Sequence, residues 1–377
     1  MGEFELMNKT LSPGDPVQKP PKPKSQEKIM KRWGVRPDCP LVSILCITYN
    51  HAAYIEDALN SFLAQETDFP FEIWVHDDAS TDGTREILEY YQAEYPRLIK
   101  LVLQEVNKYS QGYRPLRFLR EVCSGAYCAL CEGDDYWLGS EKLAMQVSAL
   151  QGRPQAGLSI HPAYMVDVKK NRVTKMFGKG CAEKVLDVSG AVASADQYSP
   201  TASYLFRTKD FQSMPNWFFE ARDLPFGDYF LETILGRNGL VYLPDVYCVY
   251  RRNVIGSYTI RFQEMDAKSL LAQMVAVIKY TNYLQRFCEI SEVALRTRRI
   301  NIYLGYLNTA LARNSLKMYR HIIVMAGDKG EALPPFTQLA ASNLISFKLF
   351  KYVRRMYLIM KVLLRRLRQS LQSGHKF

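Results

Sequence analysis

The chain has 377 residues, 47% apolar and 23% charged, with a formal net charge of +11. That length is two to three times the commonest domain size, and the composition is that of a chain able to bury a core. A single small module, a collagen-like or coiled-coil rod and a wholly disordered chain are excluded.

The positive charge is uneven. Residues 1–265 hold 30 Lys and Arg against 33 Asp and Glu, a net of −3, and residues 266–377 hold 19 against 5, a net of +14. From Ala332 onward there are nine basic residues and no acidic one. A partner with a negative surface is therefore expected at that end only. The first residues carry no apolar signal-peptide core, and the apolar runs near 356–364 are broken by Lys361 and flanked by arginines, so no membrane span is expected. The eight cysteines read as free thiols of a reducing cytoplasm. Cys128 and Cys131 have the spacing of half a zinc site, but they lie in a strand-like run where residues three apart face opposite sides.

Residues 8–39, with their prolines and the segment KPPKPK, read as a flexible lead-in, and 1–39 is set apart as such. LVSILCITY (41–49) is a buried strand, and the apolar period from Ala52 to Leu63 is a helix. The unit repeats: FEIWVH (71–76), the cap-rich turn DDASTDGT, and the helix REILEYYQAEY. A third strand is IKLVL (99–103), followed by helical PLRFLREV, and a fourth is AYCALC (126–131), which runs into EGDDYW. Strands alternating with helices predict an α/β fold with a mostly parallel sheet covered on both faces. Beyond a helix near 141–150 the pattern is mixed, with a Lys-rich, loop-like 169–184, a strand at TASYLFR (201–207), and two short strands around Pro244. From about 265 the period is helical. The expected divisions are 40–150, 151–262 and a basic helical region 263–377.

Three carboxylate-bearing turns follow successive strands: Asp77 with Asp78, then Glu132, Asp134 and Asp135, then Asp223 and Asp228. Ligands of parallel sheets bind beyond the carboxyl ends of the strands. Carboxylates crowded there repel unless a cation answers them, so a hard divalent metal, Mg2+ or Mn2+ with a diphosphate, would satisfy the arrangement. The plainer alternative is that DDASTDGT only caps a helix and EGDD only makes a turn.

The stretches LVSILCITYNHAAYIEDALNSFLAQ, FEIWVHDDASTDGTREIL and YCALCEGDDYW resemble the nucleotide-binding half of family 2 glycosyltransferases, which have the Rossmann-like GT-A fold. The likeness covers about 40–150 and extends more weakly to about 260 through GDYFLETILGRNGLVYLPDVYCVYR. It implies that Thr48, Tyr49 and Asn50 lie along the nucleoside, that Asp77 receives the base with Asp78 beside it, and that Ser80 and Asp82 hold the turn. It matches EGDD to the D-x-D motif, with Asp134 on a metal bridging the phosphates, Asp135 beside it, and Glu132 near the ribose. Asp228 matches the catalytic base, although Asp223 and Glu232 compete for that role. Glu132 departs from the aspartate of the first D-x-D position, and no Q-x-x-R-W motif occurs, which disfavours processive synthases.

The implied activity is a metal-dependent, inverting, single-sugar transfer from a nucleotide sugar, with UDP-sugar expected, to a glycan or lipid-linked glycan of a bacterial-type surface polysaccharide or lipopolysaccharide. A sugar nucleotidyltransferase of related fold and an inactive scaffold with a membrane-binding tail are the alternatives. His51 and His76 read as packing or loop residues and Trp137 as either a sugar platform or core. Arg251 and Arg252 read as a solvated pair or as phosphate contacts. From Leu344 to Leu371, Leu349, Tyr352, Val353 and Met356 share one helical arc and Lys348, Lys351 and Arg354 the other. That basic amphipathic helix is expected on an anionic membrane surface, at the inner face of the cell membrane, with packing on the catalytic part as the alternative and no nucleic-acid partner.

Overall fold

The computed structural model describes residues 11–34, 39–178, 180, 182–194, 197–354, 356 and 360. Four strands come first: β1 (Val42–Thr48), β2 (Phe71–Asp77), β3 (Ile99–Leu103) and β4 (Tyr127–Glu132). The others are β5 (Tyr136–Trp137), β6 (Leu158–Ile160), β7 (Ala163–Asp167), β8 (Arg172–Phe177), β9 (Lys184–Leu186), β10 (Leu205–Arg207), β11 (Leu240–Tyr242) and β12 (Cys248–Arg252). The large sheet has the order β3-β2-β1-β4-β10-β6-β11-β9, and a second sheet the order β5-β12-β7-β8.

β1 pairs in parallel with β2 and β4, and β2 with β3, because the helices Ile55–Leu63, Thr84–Glu94 and Leu116–Val122 carry the chain back each time. Such strands are buried on both faces, and β1 and β4 are accordingly apolar almost throughout. In register, Thr48 lies opposite Asp77 and Ile47 opposite Glu132, so the acidic turns leave one sheet edge at one level. β10 enters antiparallel between β4 and β6.

Three differences from the sequence reading have physical causes. The lead-in is docked over residues 11–34: Ile29 and Trp33 are buried, the Trp33 ring stands 5.3 Å from Phe71, and Tyr136 donates its hydroxyl hydrogen to the carbonyl of Gln18. The Lys-rich 169–184 contains β8, an edge strand paired with β7 that turns its Arg and Lys side chains to solvent. A helix, Tyr258–Glu264, runs across residue 262.

Beyond it the chain forms the helices Ala267–Cys288, Glu292–Ala312, Leu316–Asp328 and Pro335–Ser342, with residues 344–354 also helical. Asp266, Ser291 and Ser315 cap the first three, each accepting from a backbone N–H of the first turn. One apolar cluster joins Leu45, Leu130 and Phe206 of the sheet with Leu270, Tyr303, Ile322 and Phe347 of the helices. Each such buried side chain contributes about 1.5–3 kcal/mol, so the helical third and the sheet stabilise each other. Arg313, at the end of one long helix, donates to the carbonyls of Phe262 at 2.7 Å and Gln263 at 2.9 Å. No helix among the described residues is long and apolar enough to cross a membrane.

Candidate active site

The loop after β1 and the turn after β2 form one unit. Asn50 has φ 55°, a left-handed conformation that Asn tolerates better than most residues. Its N–H donates to Ser80 Oγ at 2.9 Å and its Oδ1 accepts from the N–H of Thr81 at 2.8 Å. The N–H groups of His51 and Ala52 donate to Thr84 Oγ1 and Asp82 Oδ2, each at 2.9 Å. Asp82 also accepts from the Thr84 N–H at 3.1 Å, so Ser80 and Asp82 hold the turn. Asp77 is fully buried, accepts the N–H and hydroxyl of Ser80, and has Arg85 at 3.9 Å. Asp78 accepts the N–H groups of Lys108 at 2.7 Å and Tyr109 at 3.0 Å, fixing the loop after β3.

At the end of β4, Glu132 accepts the hydroxyl hydrogen of Thr201 at 2.5 Å. Burial, then the charges of Asp228 and Asp134, push its carboxyl up to about 8. Gly133 has no room for a side chain, since a Cβ would lie 2.8 Å from Thr48 Oγ1 and 2.9 Å from Ile55 Cδ1. Asp134 faces the opening, with His51 Nε2 at 3.9 Å. Asp135 turns inward. It is 1% exposed, its Oδ1 accepts the N–H of Arg251 at 2.8 Å, and burial raises its carboxyl well above the usual range.

Asp228 heads the otherwise buried helix Asp228–Leu235. It is open to the cleft, yet protein surrounds it on most sides, and that desolvation raises its carboxyl although the positive charge of Arg114 acts the other way. Its two competitors are engaged elsewhere. Glu232 is buried and accepts from the N–H groups of Tyr198 and Ser199 and the hydroxyl of Tyr204, while Asp223 sits at the surface with Lys279 at 3.0 Å.

One cleft of about 1250 Å³ brings together Thr48, Tyr49, Asn50, Asp78, Glu132, Asp134 and Asp228. Asp77 and Asp135 do not line it. Asp77 accepts from the N–H and hydroxyl of Ser80, and Asp135 from the N–H of Arg251 through Oδ1, while its Oδ2 is buried without a partner among the described residues. Trp137 is core, packed 4.7 Å from Phe62 and donating to the carbonyl of Ala202, and His76 stacks on Phe118 at 5.2 Å. Arg251 is a clamp: it pairs with Asp57 and donates to the carbonyl of Asp134 at 3.0 Å. Sequence reasoning missed Arg114, which lines the cleft from the helix entry after β3; His51, read as a packing or loop residue, sits in the loop and lines the cleft too. The run of arginines 114, 117 and 120 was the available signal for the first.

Among the described residues no group of three or more His, Cys, Asp or Glu gathers as a metal site. The donor set nevertheless suits a hard cation held jointly with a ligand. No Lys or Arg lies within 4 Å of the Asp134 carboxylate among the described residues, and Mg2+ ordinarily takes one or two carboxylates together with phosphate oxygens and water.

A mainly parallel sheet with these loops and carboxylates at its carboxyl edge is the architecture of a GT-A glycosyltransferase. The profile of glycosyl transferase family 2 matches residues 43–258, more than half of the chain, and the chain belongs to that family. It is a glycosyltransferase. An uncharacterised protein of Mycobacterium tuberculosis H37Rv, Rv1520, is 30% identical over 250 residues, covering 63% of this chain and 68% of its own length. The putative teichuronic acid biosynthesis glycosyltransferase TuaG of Bacillus subtilis is 36% identical over 114 residues, 30% of this chain and 43% of its own. The fold is shared with S. aureus TarS 1–349 in complex with UDP-GlcNAc, with a TM-score of 0.57 at 19% identity over 84% of this chain and 91% of that one.

Proposed function

We propose that the protein transfers one sugar from a nucleoside-diphosphate sugar, with UDP as the expected nucleotide, to a hydroxyl of a glycan or lipid-linked glycan, inverting the anomeric carbon. The observation that carries this reading is that Asp134 and Asp228 come from different elements and face one cleft. Thr48, Tyr49, Asn50 and Asp78 would line the nucleoside, and Asp134 would hold Mg2+ or Mn2+ beside the diphosphate. When bound, that ion supplies Lewis-acid neutralisation of the departing diphosphate. Asp228 takes the proton of the acceptor hydroxyl as its oxygen bonds to the anomeric carbon. The bond from that carbon to the phosphate oxygen breaks on the opposite face, and the nucleoside diphosphate leaves. A carboxyl raised by its surroundings is the stronger base for this step.

The C-terminal helices support a place of action at a membrane surface. Phe347 is buried and Phe350 stacks on Phe336 at 5.6 Å, so one side of 344–354 packs on the body. Leu344, Ile345, Leu349, Tyr352, Val353, Met356 and Met360 remain exposed beside Lys348, Lys351 and Arg354. That combination suits an anionic lipid surface and hence a lipid-linked acceptor at the inner membrane face. Residues 355, 357–359 and 361–371 of the expected helix lie outside the described residues.

Product analysis tests the transfer. Mn2+-dependent release of free nucleoside diphosphate is expected, and pyrophosphate release would overturn the reading. Asp228→Asn should keep donor binding and lose about 10²- to 10⁴-fold in transfer. Asp134→Ala should lose the cation dependence of donor binding.

A further inference from the structure

The cations of the cleft are not equally answered. Arg251, beside Asp134, is paired with Asp57. Arg114 and Arg261 have no carboxylate within 4 Å among the described residues. Arg114 is held in place, donating to the carbonyl of Leu224 at 2.6 Å with its guanidinium 5.3 Å from the Phe218 ring, while its Nε is buried without a partner. Arg261 lies 5.2 Å from the Tyr109 ring and donates to its hydroxyl at 3.5 Å. Ser257, at the N-cap of the helix that carries Arg261, lines the same cleft with a buried hydroxyl that has no partner among the described residues. Arg114, partly withdrawn from water, is costly until a counter-charge meets it, Arg261 stands exposed on the same cleft, and a forked guanidinium matches phosphate oxygens.

Both arginines belong to the Asp228 side of the cleft. A Cβ on Gly227, the residue before Asp228, would lie 3.1 Å from Arg114 Nη1, and Tyr258, on the helix that carries Arg261, has its ring 5.8 Å from that of Phe226. That is where the acceptor hydroxyl must lie if Asp228 is the base, whereas the donor diphosphate belongs beside Asp134. We propose that Arg114, Arg261 and the Ser257 hydroxyl form a subsite for a phosphate group carried by the acceptor, so that the acceptor is an anionic, phosphate-bearing glycan or polyol. This deepens the transfer reading above and rests on it for the role of Asp228.

The same guanidinium groups could serve the diphosphate of the donor, and calorimetric titration of the full chain separates the two sources. The probes are sn-glycerol 3-phosphate, and UDP with Mn2+. Glycerol phosphate is expected to bind in the presence of saturating UDP and Mn2+. Arg261→Gln, a change at an exposed side chain, should weaken glycerol phosphate about tenfold or more, the loss of one charge-assisted contact, and leave UDP affinity unchanged. Displacement of glycerol phosphate by UDP, an equal loss of both ligands in the variant, or no glycerol phosphate binding by the parent would each overturn the subsite. Failure of UDP and Mn2+ to bind would instead count against the transfer reading, and the response of glycerol phosphate to Arg261→Gln would still decide the anion site.

Discussion

The Oδ1 of Asp135 accepts the backbone N–H of Arg251 at 2.8 Å, and this bond ties the turn after β4 to β12 of the second sheet. Arg251 answers through its guanidinium, bonded to the carbonyl of Asp134 at 3.0 Å. The direction of Asp134 is therefore set by its neighbour. Asp135→Ala should cost about 1–3 kcal/mol by stranding a buried N–H, and should weaken cation-dependent donor binding as well. Asp135→Asn, which keeps the accepting oxygen, should recover most of the stability. Urea denaturation of the two variants checks this, and an Ala variant as stable as the parent would refute it.

Gly133 tests the approach of the two loops. A methyl group there meets Thr48 Oγ1 and Ile55 Cδ1 inside normal contact distance, and both belong to well-packed elements. Gly133→Ala should destabilise by about 1–3 kcal/mol through overpacking. It should also depress donor affinity by displacing Asp134. A variant with unaltered melting temperature and donor affinity would show that the turn has slack.

Glu72 gives a pH signature. It is buried between strands and accepts from Ser43 at 2.6 Å, Lys100 at 2.7 Å, and the N–H and hydroxyl of Ser124. Burial alone would raise its carboxyl, but these donors outweigh it and hold the carboxyl below the usual range. A folded value lower than the unfolded one adds stability above the unfolded pKa of about 4.3, and that stability is lost as pH falls through the folded value. Glu72→Gln should therefore cost about 1–3 kcal/mol at neutral pH and progressively less in acid. Urea midpoints for parent and variant should converge as the pH is lowered.

The C-terminal helix can be tested without truncation, which would remove the buried Phe347. Leu349→Ser with Tyr352→Ser alters only exposed side chains. The parent should sediment with phosphatidylserine vesicles, more weakly at high salt, because each nearby Lys or Arg contributes about 1 kcal/mol. The double variant should stay in the supernatant with donor hydrolysis intact. Equal sedimentation of the two proteins would remove the membrane from the reading.

The sheet was legible because β1, β2 and β4 are buried on both faces and so are largely apolar. The acidic turns stood out because polar residues interrupt those runs at one level. β8 escaped because an edge strand shows Lys and Arg to solvent and so looks like a loop. The docking of residues 11–34 escaped for another reason: a proline-rich segment has no period, and its burial depends on partners such as Phe71 and Tyr136 that lie far along the chain. The inward turn of Asp135 depends on Arg251, 116 residues away, and adjacency to Asp134 says nothing about it.

Arg313 grips the last carbonyls of the helix Tyr258–Glu264, whose other side carries Tyr258 and Arg261 into the cleft. The stretch that defines the family ends at residue 258. The wall facing Asp228 is thus moored to a part of the chain outside that stretch. Changes in the helical bundle could re-aim acceptor recognition while the donor loops stay as they are, so one donor chemistry could be redirected to new acceptors by altering residues that never touch a sugar.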